Sequence, residues 1–250
     1  MLMAAERELV AEYGRKLSAA GLCPGTSGNI SIFEPGSGLM AISPSGMDYF
    51  ATRAEDVVVL DTEGRSVDST RRPSSEWGLH AAFYRAKPEV RAVVHTHSVY
   101  CTTFAVLGEP IRAVHYAMAD AGVNAVPCAP YCTFGTPELA EAAVETCGEG
   151  RAVLLSNHGL VALGGDIGAA FSLAVNLEYT AELQYRALCI GSPRVLSDGQ
   201  MAAVRRRFAS YGQPGGRKGR VLRPECAKRP GQALLAPALT RVRFIGFFRV

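Results

Sequence analysis

The chain has 250 residues, 48% hydrophobic and 20% charged, with a formal net charge of +3; that is enough apolar sequence for one full core, and it excludes disorder over most of the length. No apolar run approaches the ~20 residues that span a bilayer, and an N-terminal stretch carrying Glu6, Glu8 and Glu12 lacks a signal-peptide layout, so a cytoplasmic protein with no membrane partner is expected. From Gly212 onward nine Lys/Arg stand against one Glu, leaving 17 basic and 22 acidic residues before it. The expected organisation is an acidic folded domain over residues 1–211, with no nucleic-acid partner, and a basic, poorly ordered extension over 212–250. Seven scattered cysteines without CxxC spacing read as free thiols of a reducing compartment, Cys128 and Cys132 among them as buried structural thiols.

In chain order, Leu9, Val10, Tyr13 and Leu17 recur at helical spacing and Gly21 stops the run, which predicts a helix over about 4–20. A turn dense in small residues, 23–31, leads into an alternating strand through Phe33. Leu39–Ile42 reads as its partner and Val57–Leu60 as a further strand. Arg71-Arg72-Pro73 breaks the chain before a helix from about Ser75 to Ala86, capped by Ser74 or Ser75 and closed by Lys87-Pro88. After the strand Val93–His97, residues 99–107 are apolar at helical spacing, while 111–126 fits helix or strand equally. Thr136-Pro137 opens a helix, 152–155 and 160–163 are two strands, Asp166 caps a long helix to about Ile190, and Asp198 begins one to about Tyr211. Strands followed by interleaved helices predict one α/β domain, a mostly antiparallel or mixed sheet covered by helices.

The chemistry gathers at strand ends. In Val93-Val94-His95-Thr96-His97 the two imidazoles leave on one face, because strand side chains alternate with period two. A third imidazole, His158, follows the apolar run Ala152–Leu155, and Glu76 precedes the pair in Arg72-Pro73-Ser74-Ser75-Glu76-Trp77. Three imidazoles and a carboxylate at the ends of buried strands match a catalytic zinc site, three protein ligands plus an open position.

Three segments, Thr26-Ser27-Gly28-Asn29, Ser43-Pro44-Ser45-Gly46 and Pro73-Ser74-Ser75, offer backbone N–H groups and hydroxyls of the kind a phosphate monoester needs. A metal that polarises a ketone beside a carboxylate that moves a proton suits aldol cleavage of a sugar phosphate. An open zinc position also allows a metal-bound water, so a metallohydrolase stays open at this point.

The runs GTSGNIS (25–31), SPSGM (43–47), RPSSEW (72–77), VVHTH (93–97), VHYAMADAGVNAVPCAPYCTFGT (114–136), SNHG (156–159) and ASYG (209–212) resemble the class II aldolase family that also includes adducin, over about residues 4–212. The resemblance implies a three-layer α/β/α fold, a homotetramer with sites between subunits, and a zinc-dependent lyase. Its reaction would split a ketose 1-phosphate, foremost L-fuculose 1-phosphate, into dihydroxyacetone phosphate and L-lactaldehyde. It further implies His95, His97 and His158 as zinc ligands, with Glu76 as the acid/base that also approaches zinc. Gly28, Asn29, Ser45, Gly46, Ser74 and Ser75 would hold the phosphate; Tyr116 and a neighbouring subunit's Tyr211 would serve the aldehyde half. Relatives acting on 5-deoxyribulose or 5-methylthioribulose 1-phosphate, sugar-phosphate 4-epimerases and non-catalytic adducin-like modules are the alternatives. The stretch 212–250 continues beyond the family's usual end.

Overall fold

The structure, a computed structural model, describes residues 1–208; Tyr211, Cys226 and the basic stretch 212–250 lie outside the described residues. In chain order the elements are α1 (Ala4–Ala19), β1 (Asn29–Glu34), β2 (Leu39–Ile42), β3 (Val58–Asp61), β4 (Ser66–Asp68), α2 (Trp77–Ala86), β5 (Ala92–Thr96), α3 (Val99–Leu107), β6 (Ile111–Arg112), β7 (Ala125–Val126) and β8 (Cys128–Ala129). They continue with α4 (Pro137–Cys147), β9 (Ala152–Leu155), β10 (Gly159–Gly164), α5 (Ile167–Ile190) and α6 (Asp198–Phe208).

One eight-stranded sheet runs in the order β4-β3-β2-β1-β5-β10-β9-β8, antiparallel at every step except the parallel pair β8 and β9. Alternation along the strands sends Met40, Ile42, Val58, Leu60, Val93, Val161 and Leu163 to one face. There they pack with Leu79 and Phe83 of α2 and with Leu139 and Ala143 of α4. Helices α1, α3 and α5 pack on the strands from the opposite face, completing the three α/β/α layers. His95, two residues after Val93, therefore leaves the sheet on the α2/α4 side. β5 and β10, buried along their whole lengths, lie side by side in the interior of the sheet.

Thr136 caps α4 by accepting the Leu139 N–H at 3.3 Å, and Asp166 caps α5 by accepting the Ala169 N–H at 2.8 Å. The stretch 111–126 is neither all helix nor all strand: it is the small pair β6/β7 with a 3-10 segment, Tyr116–Ala121, between. α2 begins later than expected. Glu76 occupies its N-cap position without a side-chain cap, because Ser74 Oγ accepts the Glu76 N–H at 3.3 Å and holds the turn before the helix. None of the helices among the described residues is long and apolar enough to cross a membrane.

Candidate metal centre and anion cradle

His95 lies near the end of β5, His97 just beyond it and His158 just before β10, so two neighbouring antiparallel strands deliver all three rings to one end of the sheet. Glu76 arrives from the opposite direction, at the mouth of α2. The four donor atoms lie within 4.8 Å of one another. His95 Nε2 stands 3.0 Å from His97 Nε2 and 3.2 Å from His158 Nε2. Glu76 Oε2 is 3.3 Å from His95 Nε2, and its Oε1 is 3.4 Å from His158 Nε2.

Two glycines make this convergence possible. A Cβ on Gly159 would meet the Thr96 carbonyl oxygen at 2.2 Å, so only glycine lets β10 close against the end of β5. Gly28 has φ +72°, and a Cβ there would meet Cys23 Sγ at 2.5 Å and the His95 carbonyl oxygen at 2.7 Å.

The chemistry of the donor set fits a cation. His95 Nδ1–H donates to the Leu160 carbonyl at 2.9 Å, which leaves Nε2 as a bare lone pair pointing at two other ring nitrogens. Glu76 Oε1 is buried without a hydrogen-bond partner. Lone pairs converging in a buried spot repel one another unless a proton or a cation sits among them, and one cation can serve all four donors at once. Burial pushes His95 down to about 3, against the pull of Glu76, and burial with His158 also lowers His97. Burial works to raise Glu76, but His95, His158 and the Asn29 hydrogen bond outweigh it and hold the carboxyl below its usual value. A divalent ion requires neutral imidazoles, the form that burial favours at His95 and His97.

The cluster opens onto a cleft of about 380 Å³ lined by Gly28, Asn29, Ser45, Gly46, Ser74 and Ser75 together with Glu76, His97 and His158. Three segments distant in sequence thus meet in one cavity. The Ser45 N–H donates to the Arg72 carbonyl at 3.0 Å and the Ser74 N–H to the Ser43 carbonyl at 3.1 Å, tying two of the turns together. Those two amides are therefore engaged, whereas the Gly46 and Ser75 amides make no backbone hydrogen bond among the described residues. Asn29 lines the cleft, and one hydrogen of its side-chain Nδ2 is given to Glu76 Oε2 at 2.8 Å.

The cleft also includes residues not singled out from sequence. Ser27 Oγ is buried there without a partner, inside the same Thr26–Asn29 segment that suggested a cradle. Tyr131, Cys132 and Phe134 form its apolar wall. Cys132 is therefore a cleft residue, half-buried, rather than a buried structural thiol. Tyr116 is 53% exposed on the 3-10 segment and does not line the cleft of a single chain. Its ring lies against His115, with centroids 4.4 Å apart.

Residues 8–185 match the family model for the class II aldolase and adducin N-terminal domain. The chain is 47% identical over 213 residues to a 5-deoxy-D-ribulose 1-phosphate aldolase of Bacillus thuringiensis serovar kurstaki, covering 85% of this chain and 100% of that protein. It is 40% identical over 199 residues to the L-fuculose phosphate aldolase of Escherichia coli (strain K12), covering 79% of this chain and 91% of that one. Among solved structures, an L-fuculose 1-phosphate aldolase superposes with a TM-score of 0.81 at 39% identity, covering 84% of this chain and 98% of its own. A donor cluster at the strand ends, the layered fold around it and relatives similar along nearly their whole length lead to one conclusion: the chain belongs to the class II aldolase and adducin family.

Proposed function

We propose that the protein is a zinc-dependent aldolase that reversibly cleaves a ketose 1-phosphate into dihydroxyacetone phosphate and an aldehyde. The observation that carries this reading is a single cleft with the Glu76, His95, His97 and His158 cluster at one end and amide- and hydroxyl-lined turns at the other. A zinc ion held by the three imidazoles supplies Lewis-acid polarisation of the ketose oxygen. The Gly46 and Ser75 amides and the hydroxyls of Ser45, Ser74 and Ser75 bind the phosphate, with Gly28 contributing backbone and Asn29 the side-chain N–H that Glu76 does not take. This fixes the sugar so that C3 faces Glu76. Glu76 carries the proton to and from C3 of the triose phosphate half as the C3–C4 bond breaks or forms. Tyr116, which lies outside the single-chain cleft, acts at the aldehyde half across a homotetramer contact, and Tyr211 of a neighbouring subunit reaches the same half.

For the ketose we place 5-deoxy-D-ribulose 1-phosphate first, which reverses the order suggested by the motifs. The reason is the 47% identity across the whole of the Bacillus enzyme. L-fuculose 1-phosphate stands second on the strength of the 0.81 TM-score. Both sugars end in a methyl group, which the wall of Tyr131, Cys132 and Phe134 suits. The test is kcat/KM for triose phosphate release across both sugars and 5-methylthioribulose 1-phosphate, with metal content measured on the same preparation. Higher kcat/KM for L-fuculose 1-phosphate would reverse the ranking; inorganic phosphate release without aldehyde, C4 epimerisation alone, or no turnover of a zinc-loaded sample would sink the aldolase reading.

A further inference from the structure

A line of polar side chains runs beneath the cleft, and none of the roles above uses it. His80 stands on α2 one turn after Glu76, and it is fully buried at 0% exposure. A buried imidazole needs a partner for each ring nitrogen. Its Nε2 is 2.5 Å from Asn29 Oδ1, and its Nδ1 is 2.6 Å from Ser31 Oγ. Ser31 Oγ lies in turn 2.5 Å from the Tyr84 hydroxyl. At the other end Asn29 Nδ2 donates to Glu76 Oε2 at 2.8 Å.

The direction of every bond follows from the carboxylate. An ionised carboxylate only accepts, so Asn29 must turn its NH2 toward Glu76 and its oxygen toward His80. That oxygen also only accepts, so the ring proton sits on Nε2. Nδ1 is then a lone pair, the Ser31 hydroxyl points at it, and the Ser31 oxygen takes the proton end of Tyr84. Donation thus runs one way, from Tyr84 through Ser31, His80 and Asn29 to Glu76.

We infer that His80 is a positioning residue for the reaction: its Nε2–H locks the Asn29 amide in the one orientation that holds Glu76 Oε2 and leaves Oε1 to face the donor cluster. Without that second anchor the amide is free to swing away, and Glu76 Oε2 loses the donor that fixes its place. Burial pushes His80 down to about 4, so the ring is neutral and has a single proton to place. Burial raises the Tyr84 phenol well above its usual value, so it remains a donor. The inference rests on the reading of Glu76 as the proton carrier.

Two substitutions separate positioning from simple core satisfaction. A glutamine at 80 puts its amide nitrogen close to where Nε2 stands and still donates to Asn29; an asparagine reaches only as far as Nδ1. In the full-length zinc-loaded protein, His80→Asn is expected to lower kcat by about tenfold or more with KM within about threefold, and His80→Gln to return kcat to within about threefold of the wild type. Nitrogen-15 spectra of the imidazoles, in a chain with five histidines, are expected to show His80 protonated at Nε2 and its N–H resonance moving in Glu76→Gln. Wild-type kcat in His80→Asn, equal losses in both variants, or an Nδ1-protonated His80 would overturn the inference. Should His80→Asn fail to fold, Ser31→Ala takes its place: lowered kcat supports the relay and unchanged kcat overturns it. If the wild type cleaves no ketose phosphate, the aldolase reading fails by itself; the tautomer and its response to Glu76→Gln still decide whether the relay exists.

Discussion

Where it carries His95 the backbone is regular, and on the anion side of the cleft it is not. His95 is paired across both edges of its strand, with Asn29 on β1 and Val161 on β10. Ladder pairing on two sides fixes ring position closely, which a metal site needs because its bond lengths tolerate only small errors. It also spends the backbone N–H groups. The cradle is made instead where the ladder stops, at turns whose remaining amides can face a ligand. One chemical site therefore draws its precision from strands and its hydrogen-bond donors from the interruptions between them.

That division can be broken at either end. Removing a strand-end ligand should have the largest effect: His97→Ala is expected to lose bound metal by elemental analysis and to cut turnover by about 10³-fold, roughly 4 kcal/mol of barrier. Glu76→Gln should keep the metal and lose about 10²-fold in kcat; metal retained with normal kcat would remove Glu76 as the proton carrier. Gly28→Ala tests the seam between the two regions. Its Cβ would meet the His95 carbonyl at 2.7 Å in a left-handed backbone at φ +72°, so a loss of about 2 kcal/mol is expected in denaturant unfolding. Ser75→Ala, confined to the cradle, should raise KM by about tenfold and leave kcat within about threefold; a fall in kcat with KM unchanged would place Ser75 at the reacting end instead.

The smallest effect is on pH. His80 is held at about 4 in the folded chain, below its unfolded value of 6.5. The unfolded state thus takes up the proton first, and stability complete above the unfolded value declines as pH falls toward 4. Between pH 7 and 6 this group alone should cost about 0.7 kcal/mol. Unfolding curves at the two pH values should show that part of the slope missing in His80→Gln.

The donor cluster was legible because the period of a strand is rigid: residues two apart share a face whatever else the fold does, so His95 and His97 had to converge. The caps at Thr136 and Asp166 were equally local. What was not legible depends on partners. β6, β7 and β8 are two residues each and exist only by pairing with neighbours that sequence periodicity does not name. The true start of α2 was hidden because Ser74 accepts the Glu76 N–H instead of capping the helix. The phosphate role of Asn29 came from the family resemblance alone; that its side chain also bridges Glu76 and His80 depends on tertiary contacts that no periodicity reveals. His80 itself carried one usable signal, four residues after Glu76 on the same helix face.

The position of β5 at the heart of the sheet has a consequence for biogenesis. Its neighbours β1 and β10 come from opposite ends of the domain, and His158 is the last of the four donors to be synthesised. A nascent polypeptide can close the β1 side early, yet it has only two imidazoles to offer until translation passes residue 158. Such long-range pairing is slow to form. Ion uptake should therefore mark near-completion of the domain, and chelator-sensitive refolding kinetics would report the docking of β10 rather than early collapse.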